Sequence, residues 1–326
     1  MKPKINSLDL CITNHCNYRC VHCSFSSGSL NTKEMSLQKI KQILKDARLW
    51  GAEKLDISGG EPLLRKDAYE IIKFSKRLGF KIKLLTNGLL LSNYVLKRLK
   101  ETGLDAIGIS LDGSTSKIYN KIRRKNKTAF DKVISNIKKC VALGFYIKIN
   151  TVLFNSNLED IVSLARLCDK LEVDELRICY FTPFGRGSSI KNEFVNPVDW
   201  LHVVRYQLAN LMLRTKLFIG AVAIEKNKFK SKHSCLVSNL NHLHIMSNGD
   251  VYSCPILSIY NKPLGNVNTI CLSEILTDKS LLRKYKKEIN KVFKTHNSCM
   301  PSCFSLNNSK FRFVCPYKKF LVEDLK

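Results

Sequence analysis

From residue 7 to about residue 181 the chain repeats one alternation, a short apolar strand pattern followed by a helical pattern. "SLDLCIT" (7–13) alternates with period two. Behind Ser36, a residue suited to an N-cap, Leu37, Ile40, Ile43, Leu44 and Ala47 recur at helical spacing. Further strand patterns lie at 54–58, 81–87, 106–112, 146–153 and 175–181. Helical patterns at 67–78, 92–102, 130–143 and 158–170 separate them. Strict β–α alternation needs crossovers of one hand, and these give a parallel sheet. Six units are too few to close an eight-stranded barrel. The expected core is α/β, an open partial (β/α)6 barrel, with its active site at the C-terminal strand ends as in full barrels.

The unusual residues fall at those ends. The first strand runs into "CITNHCNYRCVHCSF" (11–25), where Cys16, Cys20 and Cys23 are spaced x3 and x2. The second is followed by "SGGEP" (58–62), the third ends in "TNG" (86–88), the fourth in "SLDG" (110–113), and the fifth carries Asn150. The chain has 13 cysteines, an odd number. "MKPKINSLDL" has no long apolar stretch, so a secretory signal is not expected. No apolar run approaches the roughly 18 residues of a membrane span, and "LFIGAVAI" (217–224) is far shorter. A cytoplasmic chain without membrane association is expected. There, such a cysteine count argues for metal or redox chemistry over a disulfide scaffold.

Three thiolates on one loop can hold three irons of a [4Fe–4S] cube and leave the fourth iron to an outside ligand. They can also hold zinc with a distant fourth ligand, and the spacing leaves both open. The neighbouring motifs decide. Over about residues 5–185 the chain resembles the radical S-adenosylmethionine (SAM) superfamily: Cys16, Cys20 and Cys23 match its Cx3Cx2C loop, and Gly59, Gly60, Glu61 and Pro62 match its Gly-Gly-Glu motif. His22 stands where the family usually has an aromatic residue. The resemblance implies that the backbone and Glu61 take the SAM amino group. It implies that Ser110 and Asp112 contact ribose and carboxylate, that Arg123 (or Arg124) pairs with the carboxylate, and that Asn150 lies near the ribose. Asn87, at the end of the third strand, joins the expected cofactor-binding set. The missing cluster ligand is then SAM itself. Its reductive cleavage gives a 5′-deoxyadenosyl radical that abstracts hydrogen from a substrate, with the protein supplying position and exclusion of water. No acid or base residue can be assigned.

Beyond "PFGRG" (183–187) the pattern changes. Residues 197–215 read as one helix, 242–254 as a hairpin turning at Asn248-Gly249, and 273–288 as a basic helix. Cys235, Gly249 and Cys254, then "PLGNV" (263–267) and "LSEIL" (272–276), resemble SPASM and twitch domains, which hold auxiliary Fe–S clusters. The full SPASM tail is not matched, because only Cys299, Cys303 and Cys315 remain and "NKVF" stands where a Cx2C belongs. The resemblance implies one auxiliary cluster of the [4Fe–4S] type, on Cys235, Cys254, Cys303 and either Cys299 or Cys315. Cys140, Cys168, Cys179 and Cys271 read as buried small hydrophobes, and Cys11 as a residue whose strand position can face the site. The expected division is a radical SAM core at 1–190, a helical bridge at 191–232, and a small Cys-rich α+β auxiliary-cluster domain at 233–326.

The net charge of +27 is spread along the chain. Either a Lys-rich composition or an acidic partner accounts for it, and no nucleic-acid-binding signature accompanies it. A flavodoxin or ferredoxin is the electron donor that the resemblance implies. Its substrate implications are modification of a ribosomally made peptide or, alternatively, small-molecule dehydrogenation, decarboxylation or cofactor biosynthesis.

Overall fold

The computed structural model describes residues 5–28, 33–181, 183–220, 223–225, 240–296, 311–313 and 319–321. Its core follows the alternation: β1 (Ser7–Thr13), α1 (Leu37–Leu49), β2 (Lys54–Gly59), α2 (Ala68–Arg77), β3 (Lys81–Thr86), α3 (Asn93–Glu101) and β4 (Ala106–Ser110). Then come α4 (Ser116–Arg123), α5 (Lys127–Ala142), β5 (Tyr146–Leu153), α6 (Ile161–Lys170) and β6 (Glu175–Tyr180). Ser36 accepts from Lys39 N–H and caps α1 as expected.

The sheet is wider than six strands. A seventh parallel strand, β7 (Lys216–Gly220), pairs with β6. Past a short β8 (Ala223–Glu225) come β9 (His242–Ile245) and β10 (Asp250–Tyr252), the expected hairpin. β9 lies parallel to β1 on the opposite edge. With β11 (Gly265–Asn266) and β13 (Lys319–Leu321) the order is β11-β10-β9-β1-β2-β3-β4-β5-β6-β7-β13, and β12 (Phe311–Phe313) pairs with β8 in a separate ribbon. The hairpin of the expected auxiliary domain is therefore continuous with the core sheet.

Three helix readings need correction. Residues 197–215 are not one helix: α7 (Pro197–His202) passes into a π turn and a 3-10 turn that ends at Asn210. Asp169 Oδ1 then accepts from Arg214 and Thr215 N–H (2.6 and 3.0 Å), drawing the backbone out toward β7. The basic helix is two, α8 (Leu272–Thr277) and α9 (Lys279–His296). Asp278 sits extended between them and accepts from Ser280 and Leu281 N–H. Helix α4, to which the sequence reading assigned no element, follows "SLDG". Among the described residues no helix is long and apolar enough to cross a membrane.

The two faces of the sheet differ in chemistry. Leu10, Ile57, Leu84, Ile107 and Ile147 are register partners in turn and are fully buried with the helices in one core. The other face carries Asp9, Asp56 and Lys83 in one row, then Cys11 and Ser58, and further round Ser110, Asn150 and Arg177. Most of these are half-buried. The charge of Arg177 acts on Asp56, although β6 is four strands from β2. A flat sheet would separate those strands by about 19 Å. The sheet is curled, and the polar row lines its inside.

Candidate functional site: the cysteine loop and the inner rim

The loop after β1 is tied down by backbone bonds. Cys16 N–H donates to Gly28 O (2.8 Å), Gly28 N–H to Asn14 O (3.0 Å), and Cys23 N–H to Cys20 O (3.3 Å). Each of the three sulfurs accepts one N–H: Cys16 Sγ from Tyr18 N (3.4 Å), Cys23 Sγ from Ser27 N (3.4 Å), and Cys20 Sγ from Arg123 Nη1 (3.6 Å). Burial pushes the Cys16 thiol up to about 11 and the Cys20 thiol up as well. A bound metal ion reverses that preference, because a coordinating thiol is deprotonated.

The Gly-Gly-Glu segment braces this loop. Gly60 N–H donates to Thr13 O and Glu61 N–H to His15 O, both at 2.8 Å. A Cβ on Gly59 would overlap Thr13 O and one on Gly60 would overlap His15 O; Gly59 also needs φ +149°. Pro62 opens a 3-10 turn that Glu61 caps. The Glu61 side chain is engaged within the protein. It is fully buried and accepts from Thr86 Oγ1 (2.8 and 2.9 Å), Asn87 N (2.8 Å) and Leu63 N (3.2 Å). Desolvation raises its carboxyl to about 7, against those bonds. Glu61 thus joins the ends of β2 and β3. Asn87 Nδ2 in turn donates to Asn17 Oδ1 in the loop (2.7 Å).

Asp112 is engaged in the same way. It is fully buried, and Oδ1 accepts from Val152 N (2.8 Å). Its Oδ2 lies 2.5 Å from Arg123 Nε as an ion pair rather than an aligned hydrogen bond. Arg123 ends α4 and reaches Cys20 with its other nitrogen. Burial pulls the Arg123 pKa down, but the Asp112 carboxylate outweighs it and the net direction is up. Arg124 instead takes the left-handed position that closes the helix. Asp112 positions Arg123, which reaches Cys20, and it also faces His22 of the loop directly. His22 Nε2 is 3.9 Å from Asp112 Oδ2, its ring lies 5.3 Å from that of Phe154, and its Nδ1 is buried without a hydrogen bond. Burial lowers its pKa to about 4. Ser110 and Asn150 are register partners, half-buried on the inner face.

Two groups escaped the sequence reading. Arg186, in "PFGRG", donates to Cys20 O (3.0 Å) and Ser27 O (2.9 Å), while its own N–H meets Cys23 O (3.1 Å). Its neighbour Gly185 has φ +53°, and a Cβ there would overlap the Cys23 and Ser24 carbonyls. The second group is "HLH" on β9. His242 Nε2 lies 3.3 Å from Asp9 Oδ2, and His244 Nε2 lies 3.8 Å from Cys11 Sγ. Alternation places both histidines on one side of the strand, but nothing local shows that the strand meets β1.

Of the expected auxiliary ligands, Cys254 is buried at the start of the 3-10 turn Pro255–Tyr260. Cys235, Cys299, Cys303 and Cys315 lie outside the described residues. Cys140 and Cys168 are fully buried as expected. Cys179 and Cys271 are not, and Cys271 caps α8.

The donor set fits an iron–sulfur centre: three sulfurs on one braced loop, each already offered an N–H. Fold and site define an iron–sulfur protein built on an open, curled α/β sheet. Residues 10–168 match the radical SAM superfamily and residues 235–305 an iron-sulfur cluster-binding domain, SPASM. The "Probable GTP 3',8-cyclase" of Methanocaldococcus jannaschii is 37% identical over 233 residues, covering 68% of this chain and 76% of that one. The "AdoMet-dependent heme synthase" of Methanosarcina barkeri is 29% identical over 296 residues, covering 84% and 83%. The crystal structure of Streptococcus suis SuiB bound to precursor peptide SuiA superposes with a TM-score of 0.73 at 18% identity, over 86% of this chain and 66% of that one. The chain belongs to the radical SAM superfamily, and its cofactors are SAM and [4Fe–4S] clusters.

Proposed function

We propose that the protein abstracts a hydrogen atom from a ribosomally made peptide to modify it. The observation that carries the radical reading is the braced loop whose three sulfurs each accept one N–H. Cys16, Cys20 and Cys23 would hold three irons and leave the fourth to the amino and carboxylate groups of SAM. When bound, cluster and SAM supply the electron and the cleavable sulfonium from which hydrogen abstraction starts. The chain's own residues position and enclose. Arg186 and the Gly59–Gly60 backbone fix the loop, Arg123 sets Cys20, and Ser110 and Asn150 offer hydrogen bonds to a ribose. His22 presents a ring nitrogen free of any hydrogen bond. Cys235, Cys254, Cys303 and either Cys299 or Cys315 would hold the auxiliary cluster.

A peptide substrate is supported by the fold shared with SuiB, whose structure holds its precursor peptide. A small-molecule substrate is the second reading, favoured by the names of the heme synthase and the GTP cyclase. Anaerobic, reduced protein given SAM should yield 5′-deoxyadenosine, and a chain that yields none is not this enzyme. A mass change in a candidate peptide, against none in porphyrin or nucleotide, separates the two substrates. Iron near eight per chain fits an auxiliary [4Fe–4S] cluster, and iron near four argues against it. Electrons would come from an acidic flavodoxin or ferredoxin. A reduction rate that ignores ionic strength would remove charge steering from this account.

A further inference from the structure

Below the cysteine loop the inner face holds a connected set of side chains with no role in the assignments above. Cys11 Sγ lies 3.3 Å from Ser58 Oγ and 3.8 Å from His244 Nε2, which also touches Met246 Sδ at 3.2 Å. His244 Nδ1 faces Asp9 Oδ2 at 3.9 Å and has no hydrogen-bond partner, although the residue is only 3% exposed. Asp9 Oδ2 meets His242 Nε2 at 3.3 Å, and His242 Nδ1 meets Ser7 Oγ at 2.8 Å. Phe25, from the cysteine loop, stacks on His244 with centroids 5.7 Å apart and planes at 15°. The set therefore lies directly under the loop. Cys11 is 2% exposed, and the charge of Cys23 reaches it.

We propose that Cys11 is a hydrogen-atom donor to carbon radicals formed in the curled sheet, with His244, Asp9 and His242 as its proton relay. The inference rests on the radical SAM reading above. Geometry carries it. A thiol has a weak, readily transferred S–H, and this one sits on the lining face one register step below the loop. Burial from bulk water suits a group that must pass through a radical state, and burial also holds the thiol protonated, up at about 12. In the step, a new C–H bond forms on the substrate, the S–H bond breaks, and the unpaired electron moves to sulfur. One electron from a low-potential carrier of the ferredoxin or flavodoxin class and one proton through His244 restore the thiol. Asp9, at 22% exposure the most accessible member, connects the relay to solvent. Because His244 belongs to β9, the C-terminal region completes this device. The reaction class that follows is one in which the substrate radical ends with hydrogen returned from the protein, as in inversion of a stereocentre.

The adenosyl fragment itself serves as the probe. Holoenzyme exchanged into D2O and given SAM and reductant, with no other substrate, should release 5′-deoxyadenosine carrying deuterium. With Cys11→Ala the label should fall to background in whatever 5′-deoxyadenosine forms, so the reading does not depend on rate. Unlabelled product from the unaltered enzyme overturns the proposal even if the variant fails to fold, as does label that persists in the variant. No 5′-deoxyadenosine at all would instead overturn the parent function, and this inference with it. A second readout needs no turnover: the infrared S–H stretch of Cys11 in the holoenzyme should move on His244→Gln. A band that stays in place removes His244 from the relay.

Discussion

The cysteine loop and the row of charges beneath it are built on opposite terms. The loop is held by backbone bonds and by donors that end on carbonyls and sulfur, from Gly60, Glu61, Arg123 and Arg186. The row beneath is held by ion pairs: Lys83 to Asp56 at 2.5 Å, Lys148 to Glu175 at 2.8 Å, and His242 to Asp9 at 3.3 Å. The carboxylates that act on the sulfurs, Glu61 on Cys16 and Asp112 on Cys20, are engaged by backbone donors or by Arg123, whereas those of the row are neutralised by ion-pair partners one layer down. A loop fixed by backbone geometry should fail abruptly when a brace is lost. A row of half-exposed pairs should weaken by degrees.

The strongest test of that contrast is Glu61→Ala. It orphans the buried donors Asn87 N–H, Leu63 N–H and Thr86 O–H at once. A loss of about 4 kcal/mol is expected, read from denaturant midpoints. A loss below about 1 kcal/mol would mean that the brace is dispensable. Next in size is Arg186→Ala, which removes two charged hydrogen bonds to the Cys20 and Ser27 carbonyls. Together these are worth about 3 kcal/mol, so the variant should retain iron about a hundredfold less tightly, measured by chelator competition. Retention equal to the parent's would show that the Gly-Gly-Glu brace suffices alone.

These braces also show what the sequence discloses. Cys16, Cys20, Cys23 and "GGEP" announce themselves because their function requires close spacing on one loop. The Asn248-Gly249 turn does so because only a few residues accept its backbone angles. Arg186 and His244 do not. Their partners lie more than 150 residues away, at Cys20 and Cys11, and a long-range pairing leaves no local period. The bonds that Glu61 and Asp112 make were not legible for a related reason. A motif fixes a residue's place along the chain but not which way its carboxylate faces, and both prove to be fully buried. The strand β7 was passed over because "KLFIG" is short and follows a segment with helical spacing.

A smaller effect is expected in the charged row. For Asp9, burial pushes the carboxyl up, but the hydrogen bond and charge of His242 outweigh it and the net direction is down. For His242, burial pushes the pKa down, but Asp9 outweighs it and the net direction is up. The His242 contribution is complete below its ordinary value of 6.5 and fades as pH rises through the raised one. The Asp9 contribution is complete above its ordinary value of 3.8 and fades as pH falls through the lowered one. The pair therefore stabilises most between the two ordinary values. Asp9→Asn should cost about 1.5 kcal/mol in that window and much less at pH 9, read from unfolding midpoints across pH. A cost independent of pH would mean that packing, not charge, is what Asp9 supplies.

The smallest expected effect separates row from loop most cleanly. Lys83→Met removes the partner of Asp56, whose carboxyl is already pushed up by burial and by the charge of Asp9, against the pull of Lys83. With the two side chains 19% and 29% exposed, water screens much of the loss. The Asp56 carboxyl can also take up a proton, so the cost should be about 1 kcal/mol. Iron content should not change, because no bond from Lys83 reaches the loop. A variant that loses iron while keeping its stability would break the comparison. It would mean that the charged row sets the environment of the sulfurs from a distance, and that the two regions are one electrostatic unit.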